Sequence, residues 1–426
     1  MEGWKEIALN EIGWFKGAGV NKLINTDEQP VYLVNYMDVY KHWRIYYNTN
    51  YQEVTAKYRE IEEANLLEGD VLFTPSSEKP IDIGHAGVVM ETMPNCVYSY
   101  HLIRLRLYDK TQFDLKYLSY LLNSDNVQKH FVSRASGSGI RYTLSLSDFK
   151  SAKIRFPKKS EQSAITAMLS KVDEAIAAVQ SSIATAQRLK KSLMQNLLTG
   201  RMKPDGTLRK EDEFYVDEKF GKVPLGWEVK RLKDICLNSG DYGANASAID
   251  YDETKPRFIR ITDIDDFGQL MDEGKASMAG DNTTKYMLEE DDFLFARTGD
   301  TVGKSLLYKK EMGPAVYAGY LIKFTFDKAK VLPEYFDLIA KSEFFEAFKI
   351  AMKRVGAKPN INSREYCSFR FLLPSDIEEQ KEIFGRFAHI DKTQKAKQNK
   401  IALLERLKKS LMQNLLTGRV RVNHIK

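Results

Sequence analysis

The chain has 426 residues, with 64 Lys and Arg against 58 Asp and Glu and a formal net charge of +6. At about 100–200 residues per domain this length holds more than one core, and 43% apolar with 29% charged residues argues against a disordered chain. Cys96, Cys236 and Cys367 lie far apart with no C-x-x-C pair, which argues against a disulfide scaffold or a cysteine zinc site.

The opening MEGWKEIALN lacks the basic-then-apolar order of a signal peptide, and no apolar run reaches about 18 residues. The sequence therefore reads as cytoplasmic, with no membrane partner. Residues 1–157 are rich in Tyr, Phe, Gly and β-branched residues. Short apolar runs such as Val31–Val34 and Val71–Phe73, separated by Gly, Asn, Asp and Pro, predict strands with long loops, and 115–129 predicts a helix. This is an α+β globule. Residues 158–203 then predict one long helix with Ser160 as N-cap and Thr199-Gly200 as the stop. Ile165, Leu169, Val172, Ile176, Val179, Ile183, Ala186, Lys190, Leu193 and Leu197 follow steps of four and three, a heptad seam that buries one narrow face on another helix. Residues 204–223 are polar and turn-rich and predict a linker.

From residue 224 the pattern begins again. Residues 224–374 predict a second α+β globule with strands at Phe258–Ile261 and Phe293–Phe295 and a helix over 333–353. Residues 375–426 predict a second long helix whose seam runs from Ile383 to Leu415, weakened by Gln394 and Lys397. LKKSLMQNLLTGR at 189–201 recurs unchanged at 407–419, a lag of 218. Glu161-Gln162 meets Glu379-Gln380 and Asp173 meets Asp391 at the same lag, and Asp70–Phe73 meets Asp292–Phe295 at a lag of 222. One unit of about 200 residues is thus written twice. The contrast between one identical segment and diverged surroundings implies one task done twice and another done in two versions. The cheapest partner for each long helix is the other.

Catalytic signatures are missing. Gly299-Asp-Thr-Val-Gly303-Lys304-Ser305 has three residues between its glycines where a P-loop needs four. Asp205 with Asp217-Glu218-Lys219 only loosely resembles a nuclease pattern and sits in the predicted linker, where no rigid scaffold would hold a metal. The six histidines form no ligand-spaced pair. What remains suits recognition. Loops such as KHWRIYYNTN (41–50), SRASGSGIRY (133–142), SGDYGANAS (239–247), ARTGDTVGKS (296–305) and KRVGAKPNIN (353–362) mix Arg or Lys with Tyr, Asn, Ser and Gly. Arg forks to guanine, Asn pairs with adenine, and backbone amides meet phosphate.

GWKEIAL and GWEVKRL at the globule starts, FIRITDID (258–265), DFLFARTGDTVGKS (292–305), AGYLIKF (318–324), KPNINSREY (358–366) and the Glu-Gln pair before each helix resemble the specificity subunit of type I restriction–modification systems. The resemblance spans the chain. In the first globule LVNYMDV stands for the RITDI strand and TPSSEKP for the ARTG loop. The resemblance implies two target recognition domains joined by two long antiparallel coiled-coil helices with internal pseudo-twofold duplication. Each domain would read half of a split site on double-stranded DNA, mainly through the major groove, and the helices would act as a ruler. Two methyltransferase subunits carrying S-adenosylmethionine would dock on this frame. Two restriction subunits using ATP and Mg would join where the cell makes them. This chain would hold no cofactor, metal or catalytic residue. Half-site centres read on one duplex face lie about 34–36 Å apart, within reach of helices about 60 Å long.

The expected DNA contacts are Tyr242, Asn245, Arg297, Thr298, Lys304, Lys358 and Asn360 in the second globule, and Arg44, Arg134, Ser136, Ser138 and Arg141 in the first. The identical segments would present one surface to two copies of a partner through Lys191, Gln195 and Arg201 and their mates Lys409, Gln413 and Arg419. The rival is a non-catalytic coiled-coil adaptor that binds proteins only. Salt dependence separates the two, because counterion release makes DNA affinity fall steeply and an adaptor has none to lose.

Overall fold

A computed structural model describes residues 3–17, 19–48, 50–280, 282–352 and 359–422, with Ser138 through its backbone alone. Among them no helix is long and apolar enough to cross a membrane. The chain divides into two units, residues 1–181 with 399–426, and residues 182–398. The division cuts both long helices, so neither unit coincides with one copy of the repeat.

In the first unit the strand Lys5–Ala8 pairs antiparallel with Lys153–Phe156, tying the start of the globule to the entry of its helix. Val71–Phe73 is apolar throughout and buried throughout, as a strand covered on both faces must be. It is central in a sheet ordered Gly13–Lys16, Ile103–Leu107, Val71–Phe73, Ala86–Val89, Arg44–Ile45. A second sheet is ordered Gln52–Ala56, Gln29–Val34, Met93–Tyr98, Asn65–Leu66. Phe73, Phe131 and Phe149 meet at ring separations of 5.0–6.0 Å in the core.

The second unit repeats this plan. Trp227–Arg231 pairs with Arg370–Pro374. Phe293–Ala296 lies between Leu321–Phe324 and Ser305–Leu307, and Arg257–Ile259 runs parallel to Ala315–Tyr317. Val34 opposite Tyr98 is answered by Ile259 opposite Tyr317. After each strand an aspartate closes a turn: Asp38 accepts from the Asn35 amide and Asp263 from the Arg260 amide, both at 2.8 Å. LVNYMDV therefore does occupy the place of the FIRITDI strand.

Three expectations differ from what is observed. The helix over 115–129 is two, Leu115–Leu122 and Asp125–Arg134. Asn123 breaks it: its amide turns inward to the carbonyls of Ser119 and Ala86 at 2.9 and 2.8 Å. The helix over 333–353 likewise divides into Pro333–Ala340 and Glu343–Met352. The linker over 204–223 is instead structured. Phe214–Asp217 and Gly221–Pro224 form a hairpin, turned by Asp217 accepting from the Lys219 and Phe220 amides at 2.8 and 2.9 Å. Val223 is fully buried, and Arg209 pairs with Glu379. A polar composition concealed a buried apolar anchor and an ion pair that ties the segment to the second long helix.

Each long helix has 39 residues, Lys159–Leu197 and Ile377–Leu415, the first starting one residue ahead of the expected Ser160 cap. None of the predicted seam positions on either helix is exposed. In the first unit Ile165 and Leu169 share a core with Leu415, and Lys408 reaches Asp173 at 2.7 Å. In the second, Leu197 shares a core with Ile383 and Phe387, Lys190 reaches Asp391 at 2.5 Å, and Lys397 reaches Ser182 at 2.7 Å. Numbers rise on one helix as they fall on the other, so the halves within each unit are antiparallel. Lys190 and Lys408 both interrupt the apolar seams, and each meets the aspartate of the other helix.

The two ion pairs are not equivalent in strength. Asp173 also accepts from the Tyr120 hydroxyl at 2.6 Å, lies 3.6 Å from Arg44, and has a Lys408 partner seated 4.7 Å over Trp43. Asp391 is half exposed and meets only Lys190 among the described residues. Asp173→Asn should destabilise by about 1–3 kcal/mol, and Asp391→Asn by less than about 1 kcal/mol. Paired thermal unfolding of the two variants checks this order; equal losses would refute it.

Candidate nucleic-acid interface

The strand Phe293–Ala296 runs out into Arg297, and a second chain segment fixes that exit. The Ile361 amide donates to the Arg297 carbonyl at 2.9 Å, the Gly299 amide to the Pro359 carbonyl at 2.9 Å, and Thr298 bridges to Asn360. The Arg297 guanidinium lies 4.8 Å over the Tyr242 ring. Its Nε is buried and has no hydrogen-bond partner among the described residues. The Tyr242 hydroxyl accepts from the Ser363 amide at 3.2 Å. Tyr242, Arg297, Thr298 and Asn360 are thus gathered at one end of the sheet, with the exposed ring of Tyr320 on the segment whose carbonyl holds the Arg297 amide.

Lys304 does not join this group. Its ammonium is held by the Ile264 carbonyl at 3.2 Å and Asp266 at 2.8 Å. Asn245 is exposed on the loop before Ala248–Asp250. Lys358 lies outside the described residues. Gly299–Thr301 is a short turn followed by the strand Ser305–Leu307, where a phosphate-binding loop would open a helix.

In the first globule the strand Val71–Phe73 leads to Thr74-Pro75-Ser76-Ser77. Here too the crossing segment fixes the exit: the Leu144 amide donates to the Pro75 carbonyl at 2.9 Å, and Thr143 pairs with Ser76. Ser136–Ser138 and Arg141–Thr143 form a tight hairpin beside Ser76-Ser77. Gly137 sits at φ +150°, where an added Cβ would lie 2.2 Å from the Arg141 carbonyl oxygen, so the close approach demands glycine. Arg141 is exposed and donates to Ser76 Oγ at 3.1 Å. Arg134 ends its helix with its guanidinium 3.4 Å from the His130 carbonyl, and Ser136 bonds the Thr143 carbonyl at 3.4 Å. Ser138 pairs with Arg141 through its backbone.

Arg44 has a different setting. Its guanidinium stacks 4.5 Å over Tyr120, donates to Ser119 Oγ at 3.1 Å and faces Asp173 of the long helix. It lines a cleft of about 900 Å³ with Lys41, Lys129, Lys408, Lys409 and Arg419. As placed, it braces the globule on the helix.

Sequence reasoning missed Tyr36, whose hydroxyl donates to the Ser76 carbonyl at 2.7 Å and is pushed above the ordinary phenol range by burial. The only signal was the Tyr36–Tyr40 spacing, which stacks the rings at 6.1 Å. Burial also lowers the neighbouring His85, which meets Tyr40 edge-on.

The identical segments have an intramolecular use. Gln195 donates to Glu343 at 2.8 Å, and its mate Gln413 to Asp125 at 2.7 Å. Leu197 and Leu198 enter the core of the second unit, as Leu415 and Leu416 enter that of the first. The same peptide therefore docks twice on matching surfaces of this chain. Lys191, Arg201, Lys409 and Arg419 remain exposed. No cluster of His, Cys, Asp and Glu able to hold a metal ion occurs among the described residues.

Two sheet ends with matched backbone geometry and different side chains, set on paired long helices, define a duplicated recognition protein. The family model for the type I restriction modification DNA specificity domain matches residues 1–187 and again 224–406, and the chain belongs to that family of specificity subunits, whose part is DNA recognition and not catalysis. It is 25% identical over 388 residues to the type I restriction enzyme MjaVIII specificity subunit of Methanocaldococcus jannaschii, covering 88% of this chain and 84% of that one. It is 24% identical over 388 residues to the putative type I restriction enzyme MjaX specificity subunit of the same organism, covering 87% and 81%. Among solved structures, a chain reported under "Structural basis underlying complex assembly and conformational transition of the type I R-M system" aligns with TM-score 0.62 at 15% identity over 98% of both chains. The S subunit from M. genitalium aligns with TM-score 0.52 at 16% identity over 97% of this chain and 96% of that one. These two share the fold.

Proposed function

We propose that the two globules read the two halves of a bipartite site on double-stranded DNA, and that the paired helices set the unread spacer between them. The observation that carries this reading is the contrast between the two recognition ends. The backbone crossing at Pro75 and Leu144 is repeated at Arg297 and Ile361, while the side chains mounted there differ. Matched frames with unlike side chains suit two unlike half-sites. The helices support the ruler: each has 39 residues, about 58 Å at 1.5 Å per residue.

In this reading two methyltransferase subunits, each holding S-adenosylmethionine, flip and methylate the target adenines. Two restriction subunits that consume ATP with Mg can add to the same frame. The chain works in the cytoplasm, positions these partners and forms no bond itself. Exposed Lys191, Arg201, Lys409 and Arg419 are the residues through which equivalent copies of one partner would find equivalent surfaces.

The test is methylome sequencing of a host that carries this chain with its methyltransferase. We expect one split motif with two short defined halves, and swapping residues 224–374 for those of a relative should replace one half only. A continuous motif, or none, would refute the reading.

A further inference from the structure

The two recognition ends hold one feature in common that the sequence alignment hides. Phe73 and Phe295 occupy equivalent strand positions at a lag of 222, so Pro75 stands where the second globule has Arg297. The backbone confirms the match, since Leu144 donates to the Pro75 carbonyl as Ile361 donates to that of Arg297, each at 2.9 Å. Proline carries no cation. Yet a guanidinium arrives at this place from another strand: Arg141, opposite in the hairpin, reaches Ser76 Oγ at 3.1 Å. A tyrosine accompanies each. Tyr242 lies under Arg297 at 4.8 Å, and Tyr36 is bound to the carbonyl of Ser76 at 2.7 Å.

Neither arginine faces a carboxylate among its described partners. In the same globule as Arg297, Arg260 pairs with Asp263, and Arg257 donates to the Met271 carbonyl. The Arg297 guanidinium has no hydrogen bond to any described residue, and its Nε is buried. A fork held by a ring and left with free donors is organised for an acceptor from outside.

Half-sites differ in their bases and share their sugar–phosphate backbone. What two diverged globules keep in common, even through different positions, suits what the two DNA halves have in common. Resting on the DNA reading proposed above, we infer that Arg297 and Arg141 are matched anchors for a backbone phosphate, one at each half-site, and that base readout belongs to other side chains.

The test uses the full chain in complex with its methyltransferase and measures fluorescence anisotropy on a duplex with the mapped site and on duplexes altered in one half. Arg297→Gln and Arg141→Gln should each weaken binding to all duplexes by the same factor, about 3- to 10-fold. Each should flatten the slope of log affinity against log salt by about one. Arg297→Lys and Arg141→Lys should restore the slope, since a phosphate accepts a point charge whereas lysine does not reproduce a bidentate fork on a guanine edge. The methylated letters should not change. Relaxation of one letter, an unrestored lysine variant, or unaltered binding by the glutamine variants would each overturn the assignment. Circular dichroism confirms folding of the variants. Absence of specific binding by the unaltered complex would instead overturn the DNA reading itself.

Discussion

Four residues inserted in each long helix, between Ser181 and Ser182 and between Gln398 and Asn399, should lengthen the unread spacer of the methylated site by about two base pairs. The half-site letters should stay as they were. The insertion points face one another, because Ser182 meets Lys397 at 2.7 Å. Four residues add about 6 Å of helix, and the duplex rises about 3.4 Å per step. Nothing in either globule is touched, so its base contacts have no reason to change. An insertion in one helix alone should shift one seam past the other and separate Lys190 from Asp391 or Lys408 from Asp173, costing stability as well as activity. Methylome sequencing reads both quantities together. New letters at an old spacing would abolish the ruler.

Gln162→Ala and Gln380→Ala should each destabilise the chain by about 3 kcal/mol. Both side chains are fully buried. Gln162 accepts from the Asp114 amide at 2.9 Å and donates to the carbonyls of Gln112 and Pro157 at 3.1 and 2.9 Å. Gln380 repeats the set with the Leu332 amide at 2.7 Å and the carbonyls of Lys330 and Pro374 at 3.2 and 2.8 Å. Each variant strands three backbone groups, and an unsatisfied buried group costs about 1–3 kcal/mol. For units of this size that lowers Tm by about 6–12 °C. Gln380→Glu should be as damaging at neutral pH, because a carboxylate would face two carbonyl oxygens. Burial and those oxygens would raise its folded pKa above the unfolded value of about 4.3. The folded state then binds the extra proton, so the penalty shrinks as pH falls toward that value and grows above it. Thermal melts from pH 4 to 8 read the slope; a pH-independent loss would remove Gln380 from this role.

The adjacent Glu161 and Glu379 show how far sequence alone carries such a site. The repeated Glu-Gln pair is plain at a lag of 218. Its partners are not. Glu161 meets Arg421 at 2.6 Å and Glu379 meets Arg209, residues at unequal distances past the two identical segments. No lag connects Arg209 with Arg421, since the two chain ends reach the same place by different paths. The same holds at the recognition ends. Tyr242, Arg297, Thr298 and Asn360 were legible as candidate loop residues by composition and do come together. The contact between Arg141 and Ser76 joins residues 65 apart in the chain and leaves no periodic trace. Arg44 carried the same composition signal as the others and proves to brace a globule on a helix, because an arginine beside a tyrosine and an aspartate satisfies itself before any ligand arrives.

By itself the sequence determined the duplication, the α+β character of both globules, the two heptad seams and the absence of catalytic signatures. These are local or periodic properties: a strand or a seam is set by the spacing of apolar residues along the chain. Only the tertiary structure decided that Lys190 and Lys408, which look like defects in those seams, each complete a pair with an aspartate about 200 residues or more away. It also decided that the supposed linker is a packed hairpin, and that the equal places of Pro75 and Arg297 are supplied with a guanidinium from different strands. The reason is that a hydrogen bond or an ion pair depends on a few ångströms between groups far apart in the chain, and a distance of that kind exists only once the core has closed around it.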